Sequence, residues 1–84
     1  MHTVYVLYNK EENKFYIGLT ENIDRRLQEH KSGHSHTTLR YKSFNLIYVE
    51  SYINNKDAMR REKYFKTTAG KRTLRLMLKD TLSG

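Results

Sequence analysis

The chain has no cysteine. That excludes a disulfide scaffold and a thiolate zinc site and fits a reducing compartment, so a cytoplasmic protein is expected. It has no apolar h-region at its start and no apolar run near the roughly 20 residues that a membrane helix needs, so no membrane partner is expected. Internal repeats and low-complexity segments are absent too. With 84 residues there is room for one domain, 1–84, whose single core is only just sufficient.

What the chain does have is positive charge, 16 Lys and Arg against 9 Asp and Glu for a net +7, which suggests a polyanionic partner. The distribution is more informative than the total. Residues 1–55 carry seven cations against six acids, whereas Lys56 to Lys79 carries nine against two, Asp57 and Glu62.

Thr3 to Asn9 is rich in Val and Tyr and reads as a strand, with Phe15 to Leu19 as its partner across the polar connector Lys10–Lys14, which makes a β-hairpin. Asn22 is placed to cap a helix from about Ile23 to Ser32, ended by Gly33. His34 to Ser43 reads as an exposed basic loop in which His34 and His36 are surface residues. Phe44 to Tyr52 is a third strand, and its consecutive Leu46, Ile47, Tyr48 and Val49 suggest a central or doubly covered position. Asn54 or Asn55 caps a helix to about Thr67; Gly70 separates it from a last helix, Lys71 to about Leu82. The expected fold is α/β of the α+β kind, a small three-stranded antiparallel sheet covered by helices in the order ββαβαα.

Several polar groups fall where a plain core would want apolar ones. At about 100° per residue, Ile23, Arg26, Leu27 and His30 share one stripe of the first helix. The plain reading is a snorkelling Arg and a hydrogen-bonded core His. In the second helix Glu62 lies near the middle of a stripe with Ala58, Met59 and Phe65. A carboxylate aimed toward a core persists only if it is paired, protonated or bound to a cation. The options are an ion pair with Arg26, Arg61 or Lys66, or a metal.

Seven tyrosines are present, and those at positions 8, 48 and 52 are explained as sheet formers with a wet phenol end. Tyr5 and Tyr16 matter together: if paired positions of the hairpin add to an odd number, both rings emerge on one face. Gly18 would then leave an open patch beside Tyr5, with room for a phosphate or a metal-bound water.

Val4-Tyr5-Val6-Leu7, then Phe15-Tyr16-Ile17-Gly18-Leu19-Thr20, Arg26 ten residues after Tyr16, His30 four further on and Glu62 in a later helix together resemble the GIY-YIG nuclease superfamily, and in particular its small stand-alone members. The resemblance covers essentially the whole chain. It implies that Tyr5 and Tyr16 are the motif tyrosines, one of which activates or positions water. It implies that Arg26 contacts the scissile phosphate, that His30 stands where relatives carry His or Tyr, and that Glu62 binds a divalent metal. The first motif reads Thr3-Val4-Tyr5 instead of Gly-Ile-Tyr. Leu19 stands where some relatives have Lys, and no Asn follows Asn55, where many relatives have one after the Glu-bearing helix.

One carboxylate cannot hold magnesium tightly, because such ions keep several waters and take ligands from substrate phosphate. The cofactor expected is Mg2+ or Mn2+, weakly bound without nucleic acid. Free tyrosine titrates near about 10, so only about one phenol in a thousand is ionised at neutral pH, and His30 is the easier base or a relay to a tyrosine. For substrate, Lys31, Arg40 and Lys42 flank the pocket, and Lys56, Arg60, Lys63 and Lys66 can track backbone phosphates or simply form a solvated face.

The favoured expectation is a divalent-metal-dependent endonuclease cutting duplex or branched DNA. The alternatives are a module that binds nucleic acid through its basic C-terminal helices without cutting, and a basic module for a protein partner. A binding-only domain has no need to keep Tyr5, Tyr16, Arg26, His30 and Glu62 together.

Overall fold

The computed structural model describes residues 1–31 and 44–84. Alternating Val and Tyr make β1, His2–Asn9, which pairs antiparallel with β2, Lys14–Thr20. Between them Asn13 takes the left-handed conformation at φ 55°, and Asn9 Oδ1 accepts from the Glu12 amide at 3.0 Å, closing the connector as an Asx turn. The helix α1, Ile23–Lys31, follows, and its N-terminus is capped by Asn22, whose Oδ1 accepts from the Arg25 amide at 3.0 Å. Next come β3, Asn45–Tyr52, and three helices: α2, Asn55–Phe65; α3, Thr68–Met77; and α4, Lys79–Ser83. The order ββαβαα is as expected, with the last helix broken into two at Leu78. Gly33 and the basic segment from His34 to Ser43 lie outside the described residues.

The strand order is β2-β1-β3, so β1 is the central strand and β3 lies at an edge. This corrects the central position expected for β3 from its four consecutive apolar residues. A register shift explains the run: Val6 pairs with Tyr48 but Leu7 with Leu46, so Ile47 is the extra residue of a β-bulge. Ile47 and Tyr48 both pack against the helix-side core, while Leu46 and Val49 stay partly exposed. An apolar run in a bulged edge strand thus mimics one covered on both faces.

The core lies between the sheet and α2–α3. Val4, Val6 and Ile17 supply the sheet side, and Ala58, Phe65 and Leu74 the helix side. Each large side chain removed from water here contributes about 1.5–3 kcal/mol, a substantial share of what so small a domain can spare.

Gly70 corrects a second expectation. It lies inside α3 instead of separating two helices, and it is buried. A Cβ there would sit 1.8 Å from the Tyr64 carbonyl oxygen and 2.7 Å from Phe65 Cα, so the missing side chain lets α3 cross the end of α2 at backbone contact. The helix starts just before this crossing because Thr67 caps it, its Oγ1 accepting from the Gly70 amide at 3.0 Å and donating to the Tyr64 carbonyl at 2.6 Å. Gly70→Ala is therefore expected to destabilise the fold by about 1–3 kcal/mol through overpacking against backbone that has nowhere to go. Urea unfolding checks this as a lower midpoint with an unchanged slope.

Candidate active site

The hairpin register pairs Tyr5 with Gly18 and Leu7 with Tyr16, an odd total. Tyr5, Tyr16 and Gly18 therefore share one face, opposite the face that Val4, Val6 and Ile17 turn to the helical core. The open patch expected beside Tyr5 is filled. A Cβ on Gly18 would fall 2.2 Å from Tyr5 Cζ and 2.3 Å from its Oη, so the phenol ring itself lies in the space that the glycine vacates. Gly18 is thus the seat of Tyr5, and the ring is almost fully buried.

The N-cap at Asn22 sets the rotation of α1. Ile23, Arg26, Leu27 and His30 turn inward, while Asp24, Arg25 and Gln28 are exposed. This is the stripe that the 3.6-residue period lays out, and it lowers two polar side chains onto the tyrosine face. Arg26 Nε donates to Tyr5 Oη at 3.1 Å, and Tyr5 Oη lies 3.0 Å from His30 Nε2. Tyr16 stacks edge-on against His30 with centroids 5.2 Å apart and lies 6.3 Å from the Tyr5 ring.

Burial pushes the Tyr5 phenol above its ordinary value, with the Arg26 hydrogen bond pulling the other way. Burial first, and the Arg26 charge second, push His30 below its ordinary value, so the imidazole is neutral at neutral pH. Arg26 is held firmly cationic, chiefly by its bond to Tyr5. A single proton lies between Tyr5 and a neutral His30: on the phenol in one tautomer, on Nε2 in the other. His30 Nδ1 is buried and meets no hydrogen-bond partner among the described residues.

Two neighbours of this cluster escaped the sequence reading. Glu29 pairs with Arg26 NH1 at 3.4 Å, and Phe44 sets its ring edge-on to Tyr16 at 6.5 Å. The first was readable as a carboxylate three positions along the same helix; the second depends on where β3 enters, which no local pattern states.

Glu62 stands apart from these four side chains. It is on α2, with the side chain 23 % exposed, and Oε2 pairs with Lys66 Nζ at 3.4 Å. No hydrogen bond or ion pair among the described residues joins it to Tyr5, Tyr16, Arg26 or His30. It flanks the buried stripe, whose centre is held by Ala58 and Phe65, and Met59 is exposed. This corrects the expectation that Glu62 occupies the middle of that stripe beside Met59: at 100° per residue, Glu62 and Arg61 fall on opposite sides of the Ala58–Phe65 line. Of the two other ion-pair options, Arg61 is taken by Glu50, Nε to Oε1 at 2.7 Å, and Arg26 by Tyr5 and Glu29.

Among the described residues no three His, Cys, Asp or Glu side chains gather to hold a metal. A lone, partly exposed carboxylate with a displaceable lysine suits a cation that keeps most of its own waters, and suits no preformed cage. Lys56, Arg60, Lys63 and Lys66 are all exposed on or beside α2. The Lys31 side chain, Arg40 and Lys42 lie outside the described residues, as do His34 and His36. Among the described residues no helix is long and apolar enough to cross a membrane.

Comparison with known proteins gives this arrangement a lineage. The chain is 36 % identical over 62 residues to a UPF0213 protein of Oceanobacillus iheyensis, covering 73 % of this chain and 71 % of that one. It is 32 % identical over 78 residues to a UPF0213 protein of Clostridium perfringens, covering 92 % and 83 %. Another UPF0213 protein, from the archaeon Natronomonas pharaonis, is 32 % identical over 81 residues, covering 95 % and 94 %. No solved structure matches the chain at a significant level. The model of the GIY-YIG catalytic domain matches residues 1–75, a span that holds both tyrosines, Arg26, His30 and Glu62. The chain belongs to the GIY-YIG family, whose catalytic domain is that of nucleases acting on nucleic acid.

Proposed function

We propose that the protein is a divalent-metal-dependent endonuclease that hydrolyses phosphodiester bonds in DNA. The observation that carries this reading is the Tyr5 hydroxyl, buried and held at once by Arg26 and by His30. A merely structural tyrosine needs one partner; this one sits between a fixed cation and a neutral base.

In this reading Arg26 presents its remaining N–H donors to the scissile phosphate, where negative charge grows in the transition state. His30 takes the proton of Tyr5, the resulting phenolate, tolerable beside the guanidinium, takes one from the attacking water that Tyr16 helps to orient, and the leaving oxygen is protonated from solvent. Glu62 would hold magnesium or manganese, an ion that would supply charge neutralisation to substrate phosphate. Lys63 and Lys66, exposed on and beside the same helix, would meet the DNA backbone. The lone carboxylate supports weak metal binding in the absence of DNA.

The second reading, a module that binds without cutting, draws on the Glu62–Lys66 pair and its lack of contact with the tyrosine cluster. One experiment separates the two. Purified protein is incubated with duplex, branched, flapped and single-stranded DNA and with magnesium or manganese, beside Arg26→Ala and Glu62→Ala. The wild type is expected to cut and each variant to lose about a hundredfold or more in rate. Equal cleavage by all three would trace the activity to a contaminant and overturn the assignment.

The pH profile tests the proton acceptor. Because His30 titrates below its ordinary 6.5, cleavage is expected to rise with pH to a midpoint under 6.5 and then level off. His30→Gln is expected to remove that acidic limb along with most of the rate; a wild-type limb surviving in the variant would assign it to another group. Stability follows the same group. Below about pH 6.5 the unfolded chain takes up a proton that folded His30 resists, so stability falls on acidification toward the lowered value. The difference between wild type and His30→Gln in urea midpoint against pH isolates this contribution from the carboxylates.

A further inference from the structure

On the other side of the sheet, where the end of β3 meets the first turns of α2, lies an open groove of about 440 Å³ lined by Tyr52, Asp57, Arg60, Arg61 and Tyr64. That volume falls within the range of roughly 300–1,000 Å³ typical of small-ligand clefts. Tyr52 pairs with His2 and packs with Tyr48 against the helix-side core, so the groove and the Tyr5 cluster are on opposite faces. The proposed reaction uses none of its residues.

The groove is built rigidly on one wall and loosely on the other. Arg61 is fixed by its 2.7 Å bond to Glu50, and its guanidinium lies 4.3 Å over the Phe65 ring and 5.5 Å from the centre of the Tyr64 ring. Tyr64 is anchored in turn, its hydroxyl 2.6 Å from Thr73 Oγ1. Arg60 is different: its side chain is 75 % exposed and, among the described residues, is held only by Asp57 at 3.1 Å, a surface pair of little strength. Exchanging Asp57 for a phosphate therefore costs Arg60 little. Lys56, also exposed, precedes it by one helical turn.

Chemistry narrows the occupant. Asp57 on the groove wall repels an anion seated against it, while Arg60 and the neighbouring Lys56, both exposed, attract one. A ligand that fits both is a flat neutral ring carrying a phosphate at its edge. Such a ring can lie against tyrosine and guanidinium planes, with any exocyclic amino group donating to Asp57. A nucleobase has that form, but only when unpaired, since a base within a duplex has both faces covered by its neighbours. We propose that this groove binds an unpaired nucleotide of a single-stranded segment, stacking its base against Tyr52 and pairing its phosphate with Arg60. This rests on the nuclease reading, and it gives the protein a contact that favours DNA with a flap, gap or frayed end.

The test measures binding by fluorescence anisotropy without metal, so that no strand is cut. The probes are a single-stranded oligonucleotide, an abasic strand of equal length and a blunt duplex. The wild type is expected to bind the base-bearing strand more tightly than the abasic one. Tyr52→Leu, which keeps an apolar side chain toward the core, is expected to lose about tenfold on the base-bearing strand and to leave the abasic strand and the duplex within about twofold. Arg60→Gln, at an exposed position, is expected to lower the salt dependence of single-strand binding by about one ion. Unchanged single-strand affinity in Tyr52→Leu overturns the inference, and retained duplex cleavage in the same variant leaves the nuclease reading standing. An equal loss on all three probes also overturns it, by showing a folding defect or general phosphate tracking. If the wild type binds no nucleic acid, the inference and the nuclease reading fall together.

Discussion

The packing of the Tyr5 ring onto Gly18 is the contact on which the rest of the site depends. The phenol occupies the volume that any side chain at position 18 would claim, with its Oη within 2.3 Å of where a Cβ would be. That seat requires β1 and β2 to pair Tyr5 with Gly18, and the same register brings Tyr16 to the same face. A slip of one residue would send Tyr16 into the helix-side core and put Ile17 over Tyr5. The seated ring leaves its hydroxyl at the one place that Arg26 and His30 reach from the inner stripe of α1. Strand register, a missing Cβ and helix rotation are thus three conditions on a single oxygen atom.

Much of this was readable in the chain because it is written in short-range rules. The hairpin follows from Val and Tyr runs about a polar connector, the Asn22 and Asn54 caps from residue type, and the inner stripe of α1 from the 3.6 period. What the pattern could not say concerns how elements meet. Gly18 read as a vacancy, since sequence spacing does not tell which neighbouring ring will fill it. Gly70 read as a break, since a helix-terminating glycine and one that admits another backbone look alike until α2 and α3 are seen to cross. The bulge at Ile47 defeats a period-of-two reading of β3, turning two successive side chains to the core and so hiding an edge strand. Glu62 was placed by its angle on α2, but the true line of burial runs through Ala58 and Phe65, and a small rotation moved the carboxylate from the middle to the flank.

The charge of the chain and its polar cluster are carried by different layers. The Lys56–Lys79 region holds nine of the sixteen cations, on and beside the helices that cover one face of the sheet, while the Tyr5 cluster lies on the other. A surface of this kind draws a polyanion by long-range attraction over a wide area. On the tyrosine side the Arg26 guanidinium is already engaged by Tyr5 and Glu29.

Tyr5 ties that chemistry to the stability of the fold. It is among the largest fully buried side chains of the described residues, and yet it bears the hydroxyl that the cluster is built around. Burial favours the neutral phenol and the neutral imidazole alike, so both groups rest uncharged, and only Arg26 keeps its charge. Moving the shared proton from phenol to imidazole creates an ion pair where there were two neutral groups, and the guanidinium beside the phenolate is the group that makes such a pair bearable in a buried place. On the proposed reading Arg26 therefore has two duties. It satisfies a buried hydroxyl in the resting protein, and it stabilises the charge that would appear on that hydroxyl when the proton moves.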